Sequence, residues 1–125
     1  MAKILIVEDE KDIRQLVIYT LQYAGYQVVA GVNGEEAVAL ARQERPDLIL
    51  MDVRMPRMDG YQAAQLIKND EVTQHIPIVF LSAKGQESEV EHGFEVGAED
   101  YLIKPFNPTE LIDRIRSVVD EIGEG

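Results

Sequence analysis

The sequence contains no cysteine and no tryptophan, and only two histidines, His75 and His92, among its 125 residues. Without cysteine the chain can form neither a disulfide framework nor a thiolate zinc site, and two scattered histidines are too few for an ordinary metal cluster. Lysine and arginine number 12 against 23 aspartates and glutamates, which gives a formal net charge of −11. Because binding to nucleic-acid phosphates needs a basic surface, we expect no direct nucleic-acid binding.

Long hydrophobic runs are also missing. The first ten residues, MAKILIVEDE, have one lysine and a short apolar run, too short for a signal peptide or a membrane span. We therefore expect a cytoplasmic protein without a membrane partner. A length of 125 residues with 46% hydrophobic content suits one domain with a proper core. The prediction is a single domain over residues 1–125, with no output domain in this chain.

Five short apolar segments have the composition of buried strands: residues 3–7, 27–30, 48–52, 78–82 and 100–104. Most of them are continuous rather than alternating, which is typical of parallel strands covered on both faces. Segments with helical periodicity alternate with these strands. This repeated alternation of strand and helix predicts an α/β domain with a doubly wound parallel sheet.

The predicted helices have recognisable ends. The first contains apolar residues from Ile13 onward and stops at Gly25, and the fifth begins after Asn107 as N-cap with Pro108 in its first turn. Asp59 is predicted as the N-cap of the third helix. The remaining helices are predicted over residues 35–44, 61–69 and 88–96, and the fifth has its apolar positions over residues 111–122.

Polar side chains stand where four of the predicted strands end: Glu8 and Asp9, Asp52, Ser82, and Lys104. The carboxyl ends of parallel strands share one edge of a sheet, where ligands bind in this class of fold. Carboxylates that converge there repel by about 4 kcal/mol at a separation of about 4 Å and an effective dielectric of about 20. They must either share a proton or bind a cation.

An oxygen-only donor set without cysteine or nearby histidine favours a hard cation, and a partial carboxylate shell suits Mg²⁺ better than a Ca²⁺ cage. A carboxylate nucleophile, a metal, a lysine and a hydroxyl are together the parts of phosphoryl transfer, here to Asp52. Each residue alone also has a structural interpretation. The acidic pair suits a helix N-terminus, Asp52 an N-cap, and Lys104 a solvated turn. The coincidence of four strand ends favours the functional interpretation.

Four motifs occur in order along the chain: ILIVEDE, PDLILMDVRMPRMDG, IPIVFLSAK and GAEDYLIKPF. On these motifs the sequence resembles the receiver domain of two-component response regulators, and it is similar to single-domain members of the chemotaxis type. The resemblance implies a flavodoxin-like (βα)5 fold with a five-stranded parallel sheet in the order 2-1-3-4-5. It covers essentially the whole chain.

The resemblance also implies a phosphorylation site with bound Mg²⁺. Asp52 would be the phosphoacceptor and a metal ligand. Asp9 would bind Mg²⁺ directly, Glu8 through a water, and Arg54 through its backbone carbonyl. Lys104 would pair with a phosphoryl oxygen.

Two further residues would form the switch that reports phosphorylation. Ser82 would bond the phosphoryl group, and Tyr101 would fill the space that Ser82 vacates. The Lys104–Pro105 peptide bond would be cis. Without the resemblance, a tyrosine in a strand is ordinarily half-buried packing.

The implied function is that of a signalling domain rather than an enzyme, with Mg²⁺-dependent self-phosphorylation and autodephosphorylation. A histidine kinase or phosphotransfer protein would phosphorylate Asp52, and the surface of the fourth helix, fifth strand and fifth helix would signal to a downstream protein. Alternatively, the chain is a phosphorelay intermediate, or the excised receiver of a transcription factor or hybrid kinase.

A phosphorylation-dependent homodimer is a further expectation. The segment GAEDYLIKPFNPTELIDRIR is similar to receivers of winged-helix transcription factors, which dimerise through this face. Asp100 and Arg114 stand where that class forms a salt bridge across the dimer. The basic residue expected on the fourth helix is replaced by Val90.

Two rival functions fit the same fold class. A flavodoxin-type electron carrier needs a phosphate-binding loop rich in Ser, Thr and Gly after the first strand, where this chain has the acidic EDEKD. A phosphatase with an aspartate nucleophile typically has a second aspartate two residues further on, where this chain has Arg54. Both departures weigh against these rivals.

Overall fold

A computed structural model describes residues 2–83 and 97–124. These residues contain five strands, which are β1 (Lys3–Val7), β2 (Gln27–Gly31), β3 (Leu48–Asp52), β4 (Ile78–Ala83) and β5 (Asp100–Lys104). They also contain four helices, which are α1 (Lys11–Tyr23), α2 (Gly34–Glu44), α3 (Gly60–Lys68) and α4 (Pro108–Glu124). The predicted helix over residues 88–96, with Val90, lies outside the described residues.

The five strands form one parallel sheet in the order β2-β1-β3-β4-β5. This order confirms the predicted flavodoxin-like α/β architecture. Two predicted strands are one residue longer than expected, because β2 extends to Gly31 and β4 to Ala83. The central strand β3 is buried at all five positions, as its continuous apolar composition predicts.

The sheet has a separate hydrophobic core on each face. On one face Leu5, Ile49 and Phe80 pack with buried residues of α2 and α3. On the other face Ile4 and Leu50 pack with buried residues of α1 and α4. Successive strand residues point to opposite faces, so each strand contributes to both cores. Among the described residues no helix is long and apolar enough to cross a membrane.

Three of the predicted helix ends are confirmed. Asp59 caps α3 in a reciprocal capping box with Gln62. Asn107 accepts a hydrogen bond from the backbone N–H of Glu110 in the first turn of α4. Gly25, with a φ of 98°, follows α1 in the left-handed conformation that ends many helices.

The loop between β3 and α3 is held close to the end of β3. The Gly60 N–H donates to the Val53 carbonyl at 2.8 Å, and a Cβ atom at position 60 would collide with the backbone oxygen of Asp52. The Gly34 N–H at the start of α2 donates to the Met58 carbonyl at 3.0 Å. Two glycines therefore allow α2 and α3 to approach this loop, and the loop is fixed relative to Asp52.

Candidate functional site

Three carboxylates meet at the carboxyl end of the sheet. β1 and β3 are neighbours, so Glu8 and Asp9, which follow β1, lie beside Asp52 at the end of β3. One ligand oxygen from each of the three lies within 4.8 Å of the others. Glu8 is fully buried and Asp52 is nearly so, whereas Asp9 is exposed to solvent. The structure thus brings together the three carboxylates that the sequence predicts as metal ligands.

Lys104 lies between two of these carboxylates. Its Nζ atom is 2.8 Å from Glu8 Oε1 and 3.2 Å from Asp52 Oδ2, and 23% of its side chain is exposed. Burial disfavours the charged amine, but the hydrogen bond to Glu8 and the charge of Asp52 outweigh burial and raise the pKa of Lys104 above 10.5. Lys104 is therefore the resident cation of the site. The Lys104–Pro105 peptide bond is cis, as the resemblance implies.

The site has more negative than positive charge. Three carboxylates and one ammonium leave two negative charges in excess when all are ionised. Burial and the neighbouring Asp52 raise the pKa of Glu8 above 4.5, against the opposing effect of Lys104. Desolvation of the carboxyl and the nearby Glu8 likewise raise the pKa of Asp9 above 3.8. An all-oxygen donor set with this excess charge fits a hard divalent cation.

Ser82 reaches the same edge of the sheet from β4. Asp52 is in register with Leu81, and Ser82 is in register with Ile103 one position before Lys104. The Ser82 side chain is buried, with 1% exposure. Its position between β3 and β5 is compatible with the predicted role as a switch hydroxyl, which stays a prediction.

Arg54 lies in the loop directly after β3, and its side chain is exposed. A surface depression beside the site is lined by Val53, Arg54, Met55, Asp59 and Tyr61. The predicted role of the Arg54 carbonyl as a metal ligand stays a prediction.

Tyr101 in β5 is 5% exposed, so its ring is buried rather than half-buried. Its hydroxyl is hydrogen-bonded to the hydroxyl of Tyr61 in the first turn of α3. Sequence reasoning missed Tyr61, because a single tyrosine after Gly60 carries no periodicity or motif that indicates its partner. The pairing depends on how α3 lies against the sheet.

Two arginine contacts were also missed. Arg14 Nη1 donates to the Glu8 carbonyl at 2.9 Å and to the Asp9 carbonyl at 3.3 Å, which fixes the backbone of the acidic loop. Arg114 Nη1 lies 2.7 Å from Asp100 Oδ1 within the same chain. The two residues expected to pair across a dimer are therefore paired with each other here, in one protomer.

Comparison with known proteins identifies the family of the chain. The family model for the response regulator receiver domain matches residues 4–116. The chemotaxis response regulator CheY4 of Vibrio cholerae is 39% identical with a TM-score of 0.89, over 94% of this chain and 98% of that chain. The receiver domain of sensor histidine kinase PA1611 from Pseudomonas aeruginosa, with a magnesium ion coordinated in its active site cleft, is 34% identical with a TM-score of 0.88, over 95% and 98%.

Curated relatives include longer transcriptional regulators. The phosphate regulon regulatory protein PhoB of Pseudomonas aeruginosa is 43% identical over 122 residues, which are 98% of this chain and 53% of that protein. The regulator RpaA of Synechocystis is 42% identical, over 95% of this chain and 49% of that protein. The chain spans about half the length of the curated relatives it matches. Its sheet order, its acidic edge and the match over residues 4–116 show that it belongs to the response regulator receiver domain family of two-component systems.

Proposed function

We propose that Asp52 accepts a phosphoryl group from a phosphohistidine of a histidine kinase or phosphotransfer protein. The observation that carries this proposal is the position of Asp52 at the end of the central strand, with its Oδ2 atom 3.2 Å from Lys104 Nζ and with Glu8 and Asp9 beside it. A carboxylate held on a buried strand between a cation and further carboxylates is fixed in place for nucleophilic attack.

In the proposed reaction an Asp52 carboxylate oxygen forms a bond to phosphorus while the bond from phosphorus to the donor imidazole breaks. The ammonium of Lys104 stabilises the negative charge of the transferred group. Glu8, Asp9, Asp52 and the Arg54 carbonyl would hold Mg²⁺, Glu8 through a water. When bound, Mg²⁺ would supply charge neutralisation at the phosphoryl oxygens. The same residues would support self-phosphorylation by small phosphodonors and autodephosphorylation.

Phosphorylation would then act as a switch. A phosphoryl group adds about −1.5 to −2 charges at neutral pH. Ser82 and Lys104 would move toward its oxygens, and Tyr101 would occupy buried space beside Ser82. Charge-assisted hydrogen bonds contribute about 1.5–3 kcal/mol each. Two of them would favour the switched conformer by about 3–6 kcal/mol.

The surface that would change on phosphorylation is formed by β5, α4 and the predicted helix over residues 88–96. We propose that a downstream protein binds this surface. The relatives include transcriptional regulators, and we propose a phosphorylation-dependent homodimer as a further form of this chain. The intrachain Asp100–Arg114 pair would have to open for these residues to pair across such a dimer. A phosphorelay intermediate and the excised receiver of a larger regulator or hybrid kinase are the alternatives. We further propose that the receiver unit occupies residues 1–125, acts in the cytoplasm, and binds neither nucleic acid nor membrane directly.

The test is phosphorylation with acetyl phosphate and Mg²⁺, followed by mass spectrometry of the intact protein. We expect wild type to gain one phosphoryl group and Asp52→Asn to gain none. Asp113→Asn, at an exposed position of α4, is the matched control and should be labelled as wild type is. Equal labelling of Asp52→Asn and wild type would show that another residue is the acceptor.

A further inference from the structure

Two tyrosines from distant parts of the chain meet beside the site. Tyr61 is in the first turn of α3 and Tyr101 is in β5, and their hydroxyl groups are hydrogen-bonded to each other. Phe80 of β4 contacts both rings, with centroid distances of 5.2 Å to Tyr61 and 5.6 Å to Tyr101. The Tyr61 and Phe80 rings are nearly perpendicular, at 74°, which is a favourable edge-to-face contact. The three rings therefore form one packed unit under the carboxyl edge of the sheet.

Tyr101 makes hydrogen bonds through both its side-chain hydroxyl and its backbone. Its hydroxyl is bonded to Tyr61, and only 5% of the residue is exposed. Its backbone N–H donates to Asp100 Oδ1 at 2.7 Å, and its carbonyl accepts from Arg114 Nη1 at 3.2 Å. In the proposed switch, burial of this ring beside Ser82 belongs to the phosphorylated conformer. The Tyr61 hydroxyl is a side-chain partner of this buried ring.

Tyr61 is also connected to Asp52 through the backbone contacts of its neighbour Gly60. It follows Gly60, whose N–H donates to the Val53 carbonyl and which packs directly against the backbone of Asp52. The capping box of Asp59 and Gln62 fixes the turn in which Tyr61 lies. Displacement of the loop after Asp52 must therefore displace the Tyr61 ring, and with it the partner of the Tyr101 hydroxyl.

We propose that Tyr61 is a positioning residue of the switch. Its hydroxyl stabilises the buried conformer of Tyr101 and couples that ring to the loop after Asp52. This inference rests on the proposed function, because it assigns the buried ring to the phosphorylated conformer. It adds a group on α3 to the switch residues that the resemblance implies, Ser82 of β4 and Tyr101 of β5.

The expected effect follows from one hydrogen bond. The Tyr61→Phe substitution keeps the ring contact with Phe80 and removes only the hydroxyl. Loss of one ordinary hydrogen bond should lower the ratio of buried to exposed Tyr101 conformers by about 2- to 12-fold. Beryllofluoride with Mg²⁺ mimics the phosphoryl group and should favour the buried conformer by more than the contribution of one hydrogen bond. A saturating concentration should therefore return the Tyr101 ring of the variant to the buried position.

The experiment is NMR of protein labelled with ¹³C at the tyrosine ε positions. The chain has five tyrosines, so five ring signals are assigned by single Tyr→Phe substitutions. We expect the Tyr101 signal in Tyr61→Phe to move toward the position of an exposed tyrosine, and to return with beryllofluoride and Mg²⁺. Tyr101→Phe removes the same bond from the other side, so the Tyr61 signal should move in that variant. Tyr23→Phe, at a residue that is 92% exposed, is the control and should leave the Tyr101 signal unchanged.

The outcomes separate this inference from the proposed function. An unchanged Tyr101 signal in Tyr61→Phe would overturn the inference even if wild type binds beryllofluoride. A signal that moves but does not return with saturating beryllofluoride would reduce Tyr61 to a packing residue, which also overturns it. Absence of any beryllofluoride response in wild type would overturn the proposed function, and this assignment of the buried ring with it.

Discussion

Removal of the Lys104 amine should destabilise the protein more than removal of a surface lysine. The amine lies 2.8 Å from the fully buried Glu8 and 3.2 Å from Asp52, so Lys104→Ala leaves two adjacent buried carboxylates without their cation. Removing one partner of a buried ion pair typically costs about 3–5 kcal/mol. We expect the lower end of that range, about 3 kcal/mol, because the Lys104 side chain is 23% exposed.

This cost should depend on pH in a defined direction. The pKa of Glu8 in the folded protein is raised above 4.5. The contribution of Glu8 to the free energy of unfolding is therefore fully present below pH 4.5, and it is lost as the pH rises through the folded-state pKa. Lys104 opposes the increase, so in Lys104→Ala the pKa of Glu8 rises further. The difference in unfolding free energy between wild type and variant should therefore be small near pH 4.5 and grow above it.

The assay is urea denaturation without divalent metal at several pH values. Both proteins are fitted with the same slope of unfolding free energy against urea concentration. Lys3→Ala is the control, because Lys3 forms a more exposed pair with Glu44 at 3.4 Å and should cost less than about 1 kcal/mol. Glu8→Gln combined with Lys104→Ala should recover part of the lost stability, since it removes one unpaired charge. A loss below about 1 kcal/mol in Lys104→Ala at neutral pH, equal to that of Lys3→Ala, would refute this reasoning.

The remaining predictions concern the metal, the loop and the helix cap. Asp9→Asn should weaken Mg²⁺ binding and phosphorylation by acetyl phosphate together, and full labelling of wild type in excess EDTA would contradict a metal requirement. Gly60→Ala should cost about 1–3 kcal/mol of stability and slow phosphorylation, because its Cβ atom meets the Asp52 backbone. Gly31→Ala is its control, since there the nearest atom is a movable Leu40 methyl at 3.1 Å, and an equal effect of both would exclude the loop contact as the cause. Asp59→Ala should cost about 1 kcal/mol in thermal unfolding by loss of the capping box, and an unchanged midpoint would argue against that cap.

The sequence predicted the sheet and most helix ends because these depend on local patterns. Continuous apolar segments identified buried parallel strands, and Asp59 and Asn107 were recognisable as caps from residue type and position. The strand order came from the family resemblance rather than from periodicity. Parallel strands that are buried on both faces have similar apolar sequences, so the local sequence does not indicate which strand pairs with which.

The carboxylates of the site were predicted because a parallel sheet brings its strand ends to one edge. The partner of each charge was harder to predict. The resemblance implied a phosphoryl oxygen as the partner of Lys104, and it did not indicate that the amine lies closer to the buried Glu8 than to Asp52. Likewise, nothing local in the sequence indicates that Asp100 and Arg114 pair within one chain, or that Tyr61 meets Tyr101. These contacts depend on helix placement, which is set by tertiary packing.

The central claim is that Asp52 is the phosphoacceptor, and reductive trapping tests it most directly. An aspartyl phosphate is an acyl phosphate, which borohydride reduces to homoserine, whereas phosphoesters and unmodified aspartate are unaffected. Protein treated with acetyl phosphate and Mg²⁺ would be reduced, digested and mapped by mass spectrometry. We expect homoserine at position 52 and nowhere else. Homoserine at Asp9 or at any other aspartate, with position 52 unmodified, would contradict it.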